Sequence, residues 1–169
     1  KLKEIDEKFK IFKNTTSIVD LGAAPGSWSQ YIIRQYKKSL VLAIDLLDFE
    51  HIDKVNKIVG DFTKSENKEK IKNFFNKKVD VVISDMAVNT TGNKNLDAIV
   101  TGELCIEAME FAFEMLDKKG KFVSKIFMGS SFNEIVADAK KKFREVNIFK
   151  PLSSRKDSKE SFIICKFLR

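Results

Sequence analysis

The stretch Ser17–Asp45, SIVDLGAAPGSWSQYIIRQYKKSLVLAID, decides the fold of this chain. It opens with an apolar run, Ser17–Leu21, which stops at a turn rich in glycine and alanine. The segment Trp28–Tyr36 then carries apolar residues at helical spacing, and Leu40–Asp45 is a second apolar run. A strand, a glycine-containing turn, a helix and a second strand in this order predict a βαβ unit with two parallel strands.

The remainder of the chain repeats this alternation of strands and helices, interrupted by a polar loop at Asn89–Asn95. The further predicted strands are Lys57–Val59, Val79–Ser84, Gly120–Phe127, Val146–Phe149 and Ser161–Phe167, and the further helices are Asn67–Phe75, Asp97–Leu116 and Phe132–Phe143. Right-handed crossovers between such strands predict a mainly parallel α/β sheet with helices on both faces. Only the loop Lys150–Glu160 separates the last two strands, so we expect them to pair antiparallel at the sheet edge.

Length and composition exclude several classes of protein. The 169 residues are 43% hydrophobic and 33% charged, which predicts one globular domain spanning residues 1–169. No apolar run approaches the roughly 18 residues that a membrane-spanning helix needs, so we expect no membrane partner. Cys105 and Cys165 share no metal-ligand spacing and His51 is the only histidine, which argues against a disulfide scaffold, a metal site and a histidine-dependent triad.

The net charge of +7 comes mostly from lysine. AT-rich coding alone would enrich lysine, asparagine, isoleucine and phenylalanine, so the charge by itself needs no functional explanation. Its distribution is more informative, because positive residues crowd Lys64–Lys78 and Lys140–Lys159. This clustering favours an anionic polymer as partner.

Acidic residues follow the predicted strands near the glycine turn. Gly22 and Gly26 would allow tight turning and close approach of the backbone to a ligand. Asp45 is placed to accept hydrogen bonds from two ribose hydroxyls, and Asp61 could receive an adenine amino group, with Phe62 packing on the ring. A glycine loop with helix-capping aspartates is the structural alternative, but acids at successive strand ends favour a nucleoside ligand. A pyrophosphate fits less well, because the carboxylates would repel it.

Asp85 follows the strand Val79–Ser84, and Lys125 lies inside the apolar run FVSKIF. Burial disfavours a charged amine, so a buried lysine can act as a base near neutral pH. Asp85 would orient that amine. On these residues alone, an ordinary buried ion pair is an equally good interpretation.

Six motifs in order and spacing resemble the FtsJ/RrmJ family of S-adenosylmethionine-dependent RNA ribose 2′-O-methyltransferases. They are DLGAAPGSWSQ, AIDLLD, GDFT, SDMA, FVSKIFMG and KPLSSRKDSKE, and together they cover essentially the whole chain. The resemblance implies a Rossmann-like class I methyltransferase fold, with a seven-stranded, mostly parallel sheet and an antiparallel last strand. It also implies RNA as the substrate and S-adenosylmethionine as the cofactor.

The resemblance further implies a Lys-Asp-Lys-Glu catalytic tetrad. Matched motif by motif, the tetrad falls on Lys1, Asp85, Lys125 and Glu160. Lys125 would remove the proton from the ribose hydroxyl. Lys1 would bind the nearby phosphate or stabilise the developing oxyanion. Asp85 and Glu160 would hold the two amines.

The same resemblance implies a set of cofactor and substrate residues. The cofactor pocket would be lined by Gly22, Ala23, Pro25, Gly26, Trp28, Asp45, Leu46, Asp61, Phe62 and Asp85. Arg155, inside the last motif, would contact the RNA. The ring of Trp28 could equally pack in the core beneath the first helix.

Three positions depart from the family pattern. Val88 stands where a proline is expected in S-D-M-A-P-N, and Ser27 replaces a common second glycine. Phe162 stands where bacterial members commonly have tyrosine, so a substrate role for that phenol is absent or supplied elsewhere. The chain opens at Lys1, and an RNA-contacting segment before it would not be visible.

Several alternatives remain open at this point. The leading hypothesis is methylation of a uridine in large-subunit ribosomal RNA, and the alternative within the class is a tRNA ribose 2′-O-methyltransferase. A catalytically silent RNA-binding module would not need all of Asp85, Lys125 and Glu160, and a small-molecule methyltransferase would not explain the basic clusters. We expect a monomer, located in the cytoplasm or in a mitochondrion or other organelle.

Overall fold

The computed structural model describes residues 1–87 and 91–169. The helices are α1 Leu2–Phe9, α2 Ser27–Gln35, α3 Ser65–Phe75, α4 Lys94–Met115 and α5 Phe132–Lys142. The strands are β1 Ser17–Leu21, β2 Leu40–Asp45, β3 Val55–Val59, β4 Val79–Ser84, β5 Leu116–Phe127, β6 Phe143–Phe149 and β7 Glu160–Leu168. Val88, the departure from the expected proline, and the first two residues of the predicted loop 89–95 lie outside the described residues.

The strands form one seven-stranded sheet in the order β3-β2-β1-β4-β5-β7-β6. The neighbouring pairs from β3 to β5 are parallel, whereas β7 runs antiparallel to both β5 and β6. The predicted α/β sheet, mostly parallel with an antiparallel last strand, is confirmed. Its first four strands end at one common edge, where ligands of open α/β sheets bind.

Helices cover both faces of this sheet. Along β1, Val19 and Leu21 belong to one core cluster with residues of α3, α4 and α5, whereas Ile18 belongs to a second cluster with residues of α1 and α2. Successive side chains of a strand point to opposite faces, so strands buried on both sides appear in the sequence as continuous apolar runs. This is why the runs Ser17–Leu21 and Val79–Ser84 coincide with β1 and β4.

The last strand is not at the edge of the sheet. β7 is inserted between β5 and β6, so that β6 is the edge strand. The antiparallel register places Glu160 opposite Phe127, and Phe162 opposite Lys125. The start of β7 therefore lies beside the end of β5, where Lys125 stands.

Helix α1, which the sequence analysis did not predict, is anchored by a buried carboxylate. Asp6 accepts hydrogen bonds from Tyr31 Oη at 2.9 Å, from Tyr36 Oη at 2.6 Å and from the backbone N–H of Phe12 at 3.1 Å. Burial and this carboxylate raise the pKa of Tyr36 to about 12, so its hydroxyl stays a donor. The network ties α1 to α2 and thereby fixes the position of Lys1 at the start of α1.

Candidate active site

Four ionisable side chains meet at the edge where the parallel strands end. Lys1 Nζ lies 2.9 Å and 2.8 Å from the two carboxylate oxygens of Glu160. Lys125 Nζ lies 3.2 Å from Asp85 Oδ1 and 3.7 Å from Glu160 Oε1. The four residues assigned to the tetrad by resemblance thus form one continuous chain of alternating charge.

Each member of this chain is positioned by a different element. Asp85 directly follows β4, Lys125 stands near the end of β5, and Glu160 is the first residue of β7. Lys1 immediately precedes α1. Since the parallel strands β4 and β5 end side by side and β7 begins there, the fold brings together residues that are far apart in sequence.

The two central side chains are largely withdrawn from water. The side chain of Lys125 is 14% exposed and that of Glu160 is 10% exposed. Burial raises the pKa of Asp85, and the adjacent Lys125 opposes this rise. The contact between Lys125 and Asp85 is an ion pair without hydrogen-bond alignment. Among the described residues, the buried Asp85 Oδ1 has no aligned hydrogen-bond donor, so the ammonium of Lys125 is the group that compensates its charge.

A cavity of about 510 Å³ adjoins this cluster. Six of the residues predicted for the cofactor pocket line it, namely Gly22, Asp45, Leu46, Asp61, Phe62 and Asp85. Asp85 belongs both to the cavity and to the charged cluster. A ligand in the cavity would therefore contact Asp85, which is the ion-pair partner of Lys125.

The glycine turn forms one wall of the cavity and is held by the end of β2. The backbone N–H groups of Gly22 and Ala23 donate to the carbonyl of Ile44 at 2.8 Å and 3.2 Å. Gly22 has a φ of +65°, and a Cβ at this position would lie 2.1 Å from Met86 Cγ. A side chain at Gly22 is therefore excluded both by the backbone conformation and by the neighbouring side chain.

The other predicted members of the pocket, Ala23, Pro25, Gly26 and Trp28, are not among the residues that line the cavity. Gly26 is covered by the loop after β2, because a Cβ there would lie 2.3 Å from Ile52 Cδ1. The ring of Trp28 packs on Phe162, with ring centroids 5.7 Å apart. Trp28 thus has the core position that the sequence analysis gave as its alternative.

The carboxylates of Asp45 and Asp61 both accept hydrogen bonds from backbone N–H groups around the cavity. Asp45 Oδ2 accepts from the N–H of Ala24 at 2.9 Å, and its Oδ1 accepts from the N–H of Leu47 at 2.8 Å. Asp61 Oδ1 accepts from the N–H and the hydroxyl of Thr63 at 2.9 Å and 2.7 Å, and this lowers the pKa of Asp61. Both carboxylates are therefore held in fixed orientations at the cavity wall.

Helix α4 contributes a wall that the sequence analysis missed. Leu104 and Glu107 line the cavity, although both lie more than 40 residues from the pocket residues of the loop after β3. The local sequence does not mark these two positions, because a leucine and a glutamate three residues apart occur on many helices. Met86 and Ala87 were also missed as pocket residues, although they belong to the SDMA motif that directly follows β4.

Asp20 is buried in the sheet next to the site. It is 1% exposed, and Ser29 Oγ donates to its Oδ2 at 2.7 Å. Burial, aided by the charges of Asp85 and Asp45, raises the pKa of Asp20 from 3.8 to about 7. The folded protein therefore holds this proton more tightly than the unfolded chain does.

This proton makes stability depend on pH. The stabilisation due to protonated Asp20 is present below about pH 4 and is lost as the pH rises through about 7. We expect the melting temperature of Asp20→Asn, relative to the unmodified protein, to increase by several degrees between pH 4.5 and pH 8. Thermal unfolding followed by circular dichroism would measure it. Asp48→Asn should show a smaller, opposite trend because Lys57 lowers the pKa of Asp48; a pH-independent difference for Asp20→Asn would contradict the assignment.

The remaining predicted positions lie around the cluster. Arg155 is exposed on the loop that precedes Glu160. Phe162 is fully buried against Trp28 and opposite Lys125, so it offers no polar group to a substrate. In the described part of the chain, no group of three or more histidine, cysteine, aspartate or glutamate side chains is arranged to hold a metal ion. The same residues include no helix long and apolar enough to cross a membrane.

Comparison with known proteins gives consistent relatives. The family model FtsJ-like methyltransferase matches residues 1–168. The chain is 67% identical over 169 residues to ribosomal RNA large subunit methyltransferase E of Pelagibacter ubique, covering 83% of that protein. It is 44% identical over 170 residues to the protein of the same name from Rickettsia bellii, covering 75% of it.

Solved structures agree with the fold. A crystal structure described as a ribosomal RNA methyltransferase from Plasmodium falciparum superposes with a TM-score of 0.88 at 30% identity, over 99% of this chain and 94% of that one. Human methyltransferase-like protein 13, solved in complex with SAH, superposes with a TM-score of 0.65 at 13% identity, over 93% of this chain and 74% of that one. At that identity the second likeness supports the fold alone.

Proposed function

The chain belongs to the FtsJ-like methyltransferase family, and from this premise we propose that it methylates a ribose 2′-hydroxyl of large-subunit ribosomal RNA. S-adenosylmethionine is the methyl donor, and a uridine is the target nucleotide. The observation that carries the proposal is the position of Asp85, which joins the cavity to the charged cluster of Lys1, Lys125 and Glu160. The names of the two large-subunit relatives support the choice of ribosomal RNA.

The residues of the cavity fit S-adenosylmethionine. Asp45 and Asp61 are acceptors at the ends of β2 and β3, suited to a ribose diol and to an adenine amino group. The side chain of Asp85 lines the cavity and is 35% exposed, so its carboxylate could accept a hydrogen bond from the amino group of the methionine moiety. The carboxylates also favour a cationic ligand over a phosphorylated one.

Bound S-adenosylmethionine supplies a methyl group already activated by its sulfonium, so the transfer requires no covalent enzyme intermediate. The protein must align the ribose hydroxyl with that methyl group and remove the proton of the hydroxyl. Lys125 Nζ, the ion-pair partner of Asp85, is the group that accepts this proton. Asp85 and Glu160 keep the amine aimed at the rim from two sides.

Lys1 has a different task in this proposal. Its amine is bound by both oxygens of Glu160, and its side chain is 35% exposed, so one side of the ammonium faces solvent. There it binds the phosphate next to the target ribose or stabilises the oxyanion that forms. Most of the rate enhancement comes from holding both reactants in line, an effect worth up to about 7–11 kcal/mol in favourable cases.

The proposal is tested with tritium-labelled S-adenosylmethionine and, side by side, large ribosomal subunits, small subunits and bulk tRNA. We expect label in the large subunit, released by alkali as resistant dinucleotides, because a 2′-O-methyl group blocks cleavage at its own phosphodiester. Nuclease digestion and mass spectrometry should then yield 2′-O-methyluridine. Label released by alkali as mononucleotides would indicate base methylation, and label confined to tRNA would select the other substrate class.

A further inference from the structure

A second cavity, of about 330 Å³, lies at the opposite end of the sheet and is lined mainly by cations. It is formed by Lys118, Lys119, Arg144, Phe167, Leu168 and Arg169. Lys119 and Lys125 stand six residues apart on the same strand, β5. At a rise of about 3.3 Å per residue, the paired segment from Lys121 to Lys125 alone spans roughly 13 Å, so the cavity lies at least that far from the catalytic cluster.

The two lysines stand on an ordered turn within β5. Leu116 pairs with Val79 on β4, but the next paired residue of β5 is Lys121, opposite Val81, so the intervening residues bulge out of the sheet. Asp117 Oδ1 accepts from the N–H of Lys119 at 3.2 Å and so closes the turn. The carboxylate of Asp117 is thereby engaged by backbone.

The side chains of three cations of this cavity lack a partner among the described residues, whereas those of Lys121 and Lys142 have one. Lys121 Nζ donates to main-chain carbonyls after α1 at 2.8 Å and 2.9 Å, and Lys142 Nζ forms ion pairs with two carboxylates at 3.0 Å and 2.8 Å. Within residues 1–87 and 91–169, no ion pair or side-chain hydrogen bond engages Lys118, Lys119 or Arg144. Bonds to the carbonyls after α1 therefore explain Lys121 and ion pairs explain Lys142, whereas these three side chains have no such partner among the described residues.

The spacing of the free charges favours a polymer over a single anion. Lys118 and Lys119 belong to β5 and Arg144 to β6, and β7 lies between these strands. The three cations come from two strands whose backbones lie about 10 Å apart, and together they carry more charge than one phosphate neutralises, which favours a ligand with several phosphates. The guanidinium of arginine can donate two parallel hydrogen bonds, and the ammonium of lysine carries a compact positive charge. Both groups bind phosphate oxygens well.

We propose that this cavity binds backbone phosphates of the substrate RNA, at a segment remote from the methylated nucleotide. The inference rests on the proposed function and adds to it a requirement for a large substrate. RNA that reaches both the catalytic cluster and this cavity must extend over at least roughly 13 Å, the length of β5 from Lys121 to Lys125. A short fragment that carries only the target nucleotide would not contact the cavity.

The test compares two triple variants that remove the same charge. Lys118→Gln/Lys119→Gln/Arg144→Gln alters the cavity, and Lys13→Gln/Lys37→Gln/Lys38→Gln alters exposed lysines before β1 and β2 on the same edge. Initial rates are measured with intact large subunits and with a short RNA fragment that contains the nucleotide methylated in the tritium experiment. We expect the cavity variant to raise KM for the large subunit about tenfold at unchanged kcat, and to reduce the slope of log KM against log salt by about 2.

With the short fragment, kcat/KM of the cavity variant should change less than twofold, and the matched variant should resemble the unmodified protein on both substrates. Equal effects of the two triple variants would show diffuse attraction and overturn the inference. The inference would also be overturned if calorimetry showed that the cavity variant no longer binds inorganic phosphate while its KM for the large subunit stays unchanged. Failure of the unmodified protein to methylate any RNA is a distinct result, which refutes the proposed function itself.

Discussion

Replacing Lys125 by alanine is expected to lower kcat for methyl transfer by about 10³-fold, while the Kd of S-adenosylmethionine changes less than threefold. The amine lies between Asp85 and Glu160 at 3.2 Å and 3.7 Å, at the rim of the cofactor cavity and outside its lining. In the proposed mechanism, it therefore acts on the hydroxyl and not on the cofactor. Single-turnover methylation of large subunits measures the rate, and equilibrium dialysis measures Kd.

Replacing Lys125 by arginine distinguishes a role as general base from a role as fixed positive charge. Lys125→Arg keeps the positive charge, but a guanidinium does not release its proton at neutral pH. We expect this variant to be nearly as impaired as the alanine variant. If Lys125→Arg retained more than a tenth of the original rate, Lys125 would act as a fixed cation, and its assignment as general base would be wrong. Lys38→Ala, at an exposed lysine on the opposite edge of the sheet, is the matched control.

Replacing Asp45 by alanine should raise the Kd of S-adenosylmethionine about 100-fold, because hydrogen bonds to a charged group contribute about 1.5–3 kcal/mol each. The carboxylate would lose the ribose hydroxyls in the proposed complex. It would also release the N–H groups of Ala24 and Leu47, which it holds at 2.9 Å and 2.8 Å. Isothermal titration calorimetry would measure the change.

Asp48→Ala is the control for this substitution, because Asp48 lies on the same loop but is exposed and paired with Lys57. Loss of an exposed ion pair costs little, so we expect its Kd to stay within twofold of the original. At saturating S-adenosylmethionine, the kcat of Asp45→Ala should recover to near the original value. An unchanged Kd for Asp45→Ala would show that the ribose is bound elsewhere.

The apolar runs of the sequence predicted the strands of the sheet, whereas no pattern predicted the first helix of the chain. Ser17–Leu21, Leu40–Asp45 and Val79–Ser84 agree with β1, β2 and β4 residue for residue, because each is a continuous apolar run. Helix α1 was missed, since its eight residues are a marginal helix in isolation and its contacts through Asp6 are tertiary. The resemblance nevertheless led to Lys1, because the motif that follows it could be matched without knowing its conformation.

The candidate site was predicted only in part for a similar reason. Motifs directly after strands identified Gly22, Asp45 and Asp61, since the ends of parallel strands must share an edge. Leu104 and Glu107 reach the same cavity from the middle of α4. Their local sequence carries no signal for this position, which depends on how α4 packs across the sheet.

By itself, the sequence determined the α/β class, the family and the residue types available for methyl transfer, because these follow from local apolar patterns and short motifs. Only the tertiary structure decided that β7 enters the sheet between β5 and β6, which sets Glu160 between Lys1 and Lys125. It also decided which lysines are free and which are held by carbonyls or carboxylates. The physical reason is that strand order and ion pairing depend on contacts between residues far apart in the sequence, such as Lys1 and Glu160, and local sequence patterns do not encode such contacts.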